Sequence, residues 1–246
     1  KDYEGSIIGK CTNCGILKTF PSKKNKLFNP IITKSQDYEK RRKEFEIMFS
    51  PIVSLIKKHV KPNTAILDVG CSSGILLSLL QRNKFQIYGI ELNHEAFSYA
   101  KRKLKKNVFY GSLAQFLKRK KQIFDCIIYN HVLEHIENVN DEFTLINKSL
   151  RKNGALIIGV PNTDNVIFKI RKKYWESLLP NEHIWHFNTN YVKQYLFKRG
   201  FKILEVRFEN DARKSYPLYK RIYFTLLTFL NKMIHTGEAV LIVSQK

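Results

Sequence analysis

The run "AILDVGCSSGILLSLL", Ala65 to Leu80, restricts the possible folds more than any other part of the chain. A continuous apolar segment breaks at Gly70, reaches a second glycine at Gly74, and resumes with apolar residues at helical spacing. That is a strand turning directly into a helix. In an open α/β sheet, ligands bind beyond the carboxyl ends of the strands, where such turns lie. Gly70 and Gly74 would let a ligand approach the backbone, and the helix start offers unpaired N–H donors. Asp68 ends the strand, where its carboxylate could accept from a cationic or amide donor. A glycine turn that serves only tight packing is the plainer alternative.

The pattern repeats downstream. "FQIYGIE", "NVFYG", "FDCIIYN" and "GALIIGVP" read as strands, with helical segments between them. Near-continuous apolar strands with helical crossovers predict a doubly wound α/β domain with helices on both faces. Residues 162–187 interrupt this order with an irregular, aromatic-rich stretch, and a helix at 189–199 ends on Gly200. The strand "FKILEVRF", an amphipathic helix near 217–234 and the strand "EAVLIVSQ" close the chain, which predicts an antiparallel pair at one sheet edge. Upstream, Asp37 to Lys58 has helical spacing, and Pro51 predicts a break or kink there.

Glu91 sharpens the turn's meaning. It closes the second strand in "YGIELN", about 20 residues beyond the glycines, where a carboxylate can accept from two ribose hydroxyls. A dinucleotide site would carry G-x-G-x-x-G, whose second glycine admits a pyrophosphate. Ser72 stands at that position, so the turn departs from the dinucleotide fingerprint.

"ILDVGCSSG", "YGIELN", "FDCIIYNHVLEHI", "LRKNGALIIGVPN" and "HFNTNYVKQYLFKRGFKI" follow one another as in class I S-adenosylmethionine-dependent methyltransferases. The chain resembles that family from about residue 36 to its end. The resemblance implies a Rossmann-like, seven-stranded sheet with an antiparallel last strand. It also implies S-adenosyl-L-methionine as cofactor and S-adenosyl-L-homocysteine as product. Asp68, Gly70, Cys71 and Gly74 would line the methionine end, Glu91 would hold the ribose and Leu92 would border the adenine. Asn130 and His131 would lie beside the sulfonium. The third strand usually ends on an acid that reads the adenine amino group; here Ser112, followed by Leu113, takes that place. Tyr38, Arg41 and Arg42 match a helix that folds over the cofactor in related enzymes, where an arginine such as Arg42 could pair with the methionine carboxylate.

Two groups of residues could supply a base. In "NHVLEHI", His131, Glu134 and His135 share helical i, i+3, i+4 spacing. The stretch resembles ubiquinone-biosynthesis O-methyltransferases, where an acid replaces His131 and the segment can hold a divalent cation. The histidine argues against a hard-metal site, and no metal is assigned within the domain. The second group is "YWESLLPNEHIWHF", with Trp175, Trp185, Glu182, His183 and His186. Aromatic faces suit a sugar or planar acceptor, and His183, or else His186, is the expected general base. The plain alternative is that the tryptophans cap the sheet and the histidines bond backbone carbonyls.

Composition limits the partners. The formal net charge is +22, but the basic runs at 101–106, 118–121 and 171–173 are dispersed and poor in aromatics. They read as solvated surface rather than a nucleic-acid face. "YNHV" after the fourth strand also lacks the "NPPY" pattern of base N-methylation, which argues against the RNA methyltransferase alternative. A non-catalytic cofactor-binding protein would show a damaged site, yet Asp68, Gly70, Gly74 and Glu91 are intact. The expected acceptor is a small molecule or glycan, through a hydroxyl of a sugar or nucleotide-sugar, as in polysaccharide biosynthesis. No secretory signal or spanning run appears, so the cytoplasm is the expected compartment. The helix near 217–234 is expected to pack on the sheet; peripheral contact with an anionic membrane is the alternative. The oligomeric state stays open.

Cys71 and Cys126 fall in core segments. Cys11 and Cys14 in "GKCTNCG" resemble one knuckle of a zinc ribbon, and a structural zinc site needs four ligands. The chain begins at Lys1, so a second pair upstream is expected, with zinc bound only in the longer protein. The expected organisation is a partial ribbon at 1–34, mobile or rearranged, and a domain at 35–246 with a substrate-side insert at 161–188.

Overall fold

The computed structural model describes residues 2–3, 6–20, 40–211, 213 and 216–246. In chain order these form β1 (Asp2–Tyr3), β2 (Ser6–Lys10), β3 (Leu17–Phe20), α1 (Arg42–His59), β4 (Ala65–Val69), α2 (Ile75–Arg82) and β5 (Gln86–Glu91). Next come α3 (His94–Leu104), β6 (Val108–Tyr110), α4 (Leu113–Arg119), β7 (Phe124–Asn130), α5 (Val139–Ser149) and β8 (Leu150–Pro161). The chain ends with α6 (Val166–Arg171), β9 (Trp185–His186), α7 (Thr189–Phe197), β10 (Lys202–Glu209), α8 (Leu218–Met233) and β11 (Ala239–Gln245).

Seven strands form one sheet in the order β10-β11-β8-β7-β4-β5-β6, antiparallel at its end. β4 runs parallel to both β5 and β7, and β5 parallel to β6. Strand order therefore reverses at β4, which makes its carboxyl end the switch point where ligands bind. The expected seven-stranded doubly wound sheet is present. Every residue of β4 is buried, as an apolar strand covered on both faces requires.

The chain divides into two compact units: residues 29–132, 138–157 and 243–246, and residues 1–28, 133–137 and 158–242. In the first, α1 continues through Pro51 without the expected break. Proline has no N–H for the Ile47 carbonyl, but the Ser50 hydroxyl donates to that carbonyl at 2.7 Å and satisfies it. Asn93 caps α3 by accepting from the Ala96 N–H at 2.9 Å. The glycines of the first turn are needed for packing as well as for shape. Gly70 has φ +73°, and a Cβ there would meet Val132 Cγ2 at 2.5 Å. Gly74 has φ +75°, and its Cβ would meet Leu104 Cδ1 at 2.7 Å. Both Cβ directions are thus filled by protein, so packing alone already requires glycine at these two positions.

In the second unit, β2 and β3 form an antiparallel hairpin, and β3 pairs with β9 through Leu17↔His186 and Lys18↔Trp185. Of the 1–34 segment expected to be mobile or rearranged, the described residues 6–20 form this hairpin, and a strand from the insert satisfies its edge. The insert is not wholly irregular either. Asn165 caps α6 by accepting from the Phe168 N–H at 2.7 Å. Asn162 fixes its start, donating to Thr236 Oγ1 at 3.0 Å and the Gly237 carbonyl at 2.9 Å. Trp175 is buried with Ile167, Leu178, Phe224 and Leu227.

Gly70→Ala should lower unfolding free energy by about 1–3 kcal/mol from left-handed strain alone, with the Val132 clash added. Urea denaturation checks this, and an unchanged midpoint would contradict it.

Candidate functional site

Glu91 organises the end of β5. Its Oε2 accepts from the Ser72 N–H at 2.8 Å, and its Oε1 from the Asn93 N–H at 2.7 Å. The Gly70 and Cys71 N–H groups both donate to the Ile90 carbonyl, at 2.8 and 3.0 Å. The Gly111 N–H donates to the Glu91 carbonyl at 3.0 Å. The loops after β4, β5 and β6 are therefore all tied to one strand end. Each carboxylate oxygen has a second lone pair, so Glu91 can clasp the loops and still accept from a ribose.

Burial raises the Glu91 carboxyl pKa, and N–H bonds from Asn93, Ser72 and Leu92 oppose the rise. Asp68 is buried one strand away, and burial followed by the Glu91 charge pushes it to about 8. Leu92 stands 59% exposed beside Glu91. Cys71 is buried and its thiol is held well above the usual range by burial, so it is a packing residue. Ser72 and His131 adopt left-handed backbone conformations, φ 49° and 55°, in the loops after the paired strands β4 and β7. Non-glycine residues rarely do so, and such positions concentrate at binding sites. The Ser72 hydroxyl is buried without a hydrogen-bond partner among the described residues. Sequence reasoning treated Ser72 only as a departure from a dinucleotide turn.

Other expected cofactor residues also make contacts within the protein. Ser112 caps α4: its hydroxyl accepts from the Gln115 N–H at 3.2 Å, and its own N–H donates to Gln115 Oε1 at 2.8 Å. Leu113 is buried in the core. Arg42 pairs with Glu46 at 3.2 Å, and Glu46 also binds Arg82. Tyr38 lies outside the described residues. Asn130 is half-buried at the end of β7, and His131 is exposed.

A second cluster forms in the other unit. Glu134, His135 and His183 each offer one ligand atom, all within 4.8 Å of one another. The Ile184 N–H donates to the Glu134 carbonyl at 2.8 Å, which brings the insert to the Leu133–His135 turn. His135 Nδ1 lies 2.8 Å from the Glu182 carbonyl, so that nitrogen carries the proton and Nε2 is the basic one. One carboxylate and two imidazoles suit a borderline metal such as zinc or iron better than magnesium. No metal was expected here from the sequence; His183, far along the chain, completes the set.

His186 does not fit the role of general base. Its Nε2 is 2.9 Å from Thr19 Oγ1, and burial, then His183, lowers its pKa to about 3 against the pull of Glu134. Nor do the tryptophans offer open faces. Trp175 is in the core and donates to Glu238 Oε2 at 3.3 Å. Trp185 donates to the Ile136 carbonyl at 3.0 Å, with Lys18 Nζ over its ring at 4.7 Å. In the β2–β3 turn, N–H groups of Cys14 and Asn13 and the Cys14 thiol hold the Cys11 thiol below its usual value.

A doubly wound sheet in this order, with an acid clasping the first turn at the switch point, defines a class I S-adenosylmethionine-dependent methyltransferase. Residues 38–206 match the methyltransferase-domain family, and the chain belongs to it. It is 28% identical over 134 residues to a ubiquinone biosynthesis O-methyltransferase of Pelagibacter ubique, covering 52% of this chain and 53% of the relative. The chain thus spans about half the length of that relative. A ubiquinone biosynthesis O-methyltransferase of Rickettsia canadensis is 27% identical over 188 residues, covering 69% of this chain and 77% of its own. A SAM-dependent methyltransferase structure from Archaeoglobus fulgidus superposes with TM-score 0.62 at 17% identity, covering 86% of this chain and 98% of its own. These structural likenesses show the fold.

The raised Asp68 pKa gives a signed prediction. The unfolded chain loses that proton near its ordinary value of about 4 and the folded chain near 8. Between those values the folded state holds more protons, so stability falls as pH rises and levels off above. Asp68→Asn should shrink this decline in urea midpoints measured across the window; an unchanged slope would contradict it.

Proposed function

We propose that the chain transfers a methyl group from S-adenosylmethionine to a hydroxyl oxygen of a small-molecule acceptor, with His183 as general base. The acceptor oxygen attacks the methyl carbon, a C–O bond forms as the S–CH3 bond breaks, and S-adenosylhomocysteine leaves as a neutral thioether. His183 takes the hydroxyl proton. The observation that carries this reading is the Glu134–His135–His183 cluster, in which a buried carboxylate can stabilise an imidazolium. The ribose would be held by Glu91, with the Ser72 hydroxyl as a further contact. The relatives named for ubiquinone biosynthesis favour O-methylation over other acceptor atoms. A sugar or nucleotide-sugar remains the alternative acceptor, with less support now that neither tryptophan presents a stacking face.

The same cluster supports a second reading. A borderline divalent ion on Glu134, His135 and His183 would bind the acceptor oxygen and lower its pKa.

The test is transfer of labelled methyl to hydroxyl-bearing acceptors by the intact protein and by His183→Ala. Turnover should fall by about 10²–10⁴-fold while S-adenosylhomocysteine affinity is unchanged. Unchanged turnover would overturn the role of His183. Activity lost to a chelator and restored by zinc would select the metal reading; indifference to the chelator would select the base.

A further inference from the structure

Helix α8 was expected to pack on the sheet, yet it buries only Phe224, Leu227 and Asn231. Leu218, Tyr219, Ile222, Leu226, Phe229 and Met233 are all between 57% and 70% exposed. At 100° per residue these six occupy one continuous arc of the helix, on a side distinct from the buried residues. The neighbouring helix α6 packs against the opposite, buried side of α8 through Ile167, Phe224 and Leu227, and leaves this arc uncovered. An apolar surface this continuous marks an interaction site.

We propose that this face docks on an anionic membrane surface. The inference is independent of the methyl-transfer reading and of the acceptor. Charge complementarity selects the occupant. The α8 sequence, "LYKRIYFTLLTFLNKM", contains no acidic residue. Arg221 and Lys232 are exposed and lie together beside the apolar arc. A second copy would bring these cations against one another, on a chain whose net charge is already +22. An anionic headgroup layer pairs with them while the apolar arc enters the acyl boundary. No described helix is long and apolar enough to cross a membrane, so α8, about 24 Å long at 16 residues, would lie in the interface plane.

Flotation of the protein with phosphatidylcholine vesicles, with and without phosphatidylglycerol, tests this. The intact protein should float with the mixed vesicles and at least about tenfold less with phosphatidylcholine alone. The double variant Ile222→Ser, Phe229→Ser should lose at least about tenfold in binding to the mixed vesicles, with an unchanged circular dichroism spectrum, because both side chains are exposed. Charge reversal at Arg221→Glu, Lys232→Glu should weaken binding in the same direction. Failure of the intact protein to bind mixed vesicles would overturn the proposal. So would equal binding by the Ile222→Ser, Phe229→Ser variant. A lipid-free dimer dissolved by that variant would assign the face to a second copy instead.

Discussion

The first compact unit depends on one carboxylate. Glu91 is buried, carries a charge that burial disfavours, and uses both oxygens to hold backbone N–H groups of two loops. Two N–H bonds to a buried carboxylate offset its desolvation, and they set the positions of the Ser72 and Asn93 backbones. Asp68 is buried as well, and that burial first, then the Glu91 charge, keeps its proton up to about 8. A positively charged sulfonium ligand would reverse that balance by favouring both carboxylates in their ionised form.

The sheet was legible because its strands are continuous apolar runs, and Asp68, Gly70 and Glu91 occupy positions set by the strand ends. What escaped reading depends on contacts that local pattern does not encode. The packing need for the glycines appears only once the Val132 and Leu104 side chains are seen at their Cβ positions. Pro51 looks like a helix breaker until Ser50 supplies the missing donor. Ser112 and Gln115 did carry a readable signal, the S-x-x-Q capping pair, but the expected adenine contact took precedence over it.

The histidine cluster shows the same limit over a longer range. Glu134 and His135 are adjacent in sequence, but His183 joins them only because the insert returns to bond the Glu134 carbonyl. That return also places Trp185–His186 as the edge partner of β3, which turns the cysteine-bearing hairpin into part of a four-stranded sheet. The failed reading of α8 has a related cause. Its apolar residues run around more of the helix than one packing face can use, and sequence alone does not say which arc stays outside.

The most direct test of the account is a calorimetric titration of S-adenosylhomocysteine into the intact protein and into Glu91→Gln. Glutamine keeps the shape but can accept through one oxygen only, leaving one loop N–H facing a donor. The intact protein should bind in the micromolar range, and the variant at least about tenfold more weakly. Equal affinity in the two proteins would contradict the claim that the Glu91 carboxylate builds the cofactor site.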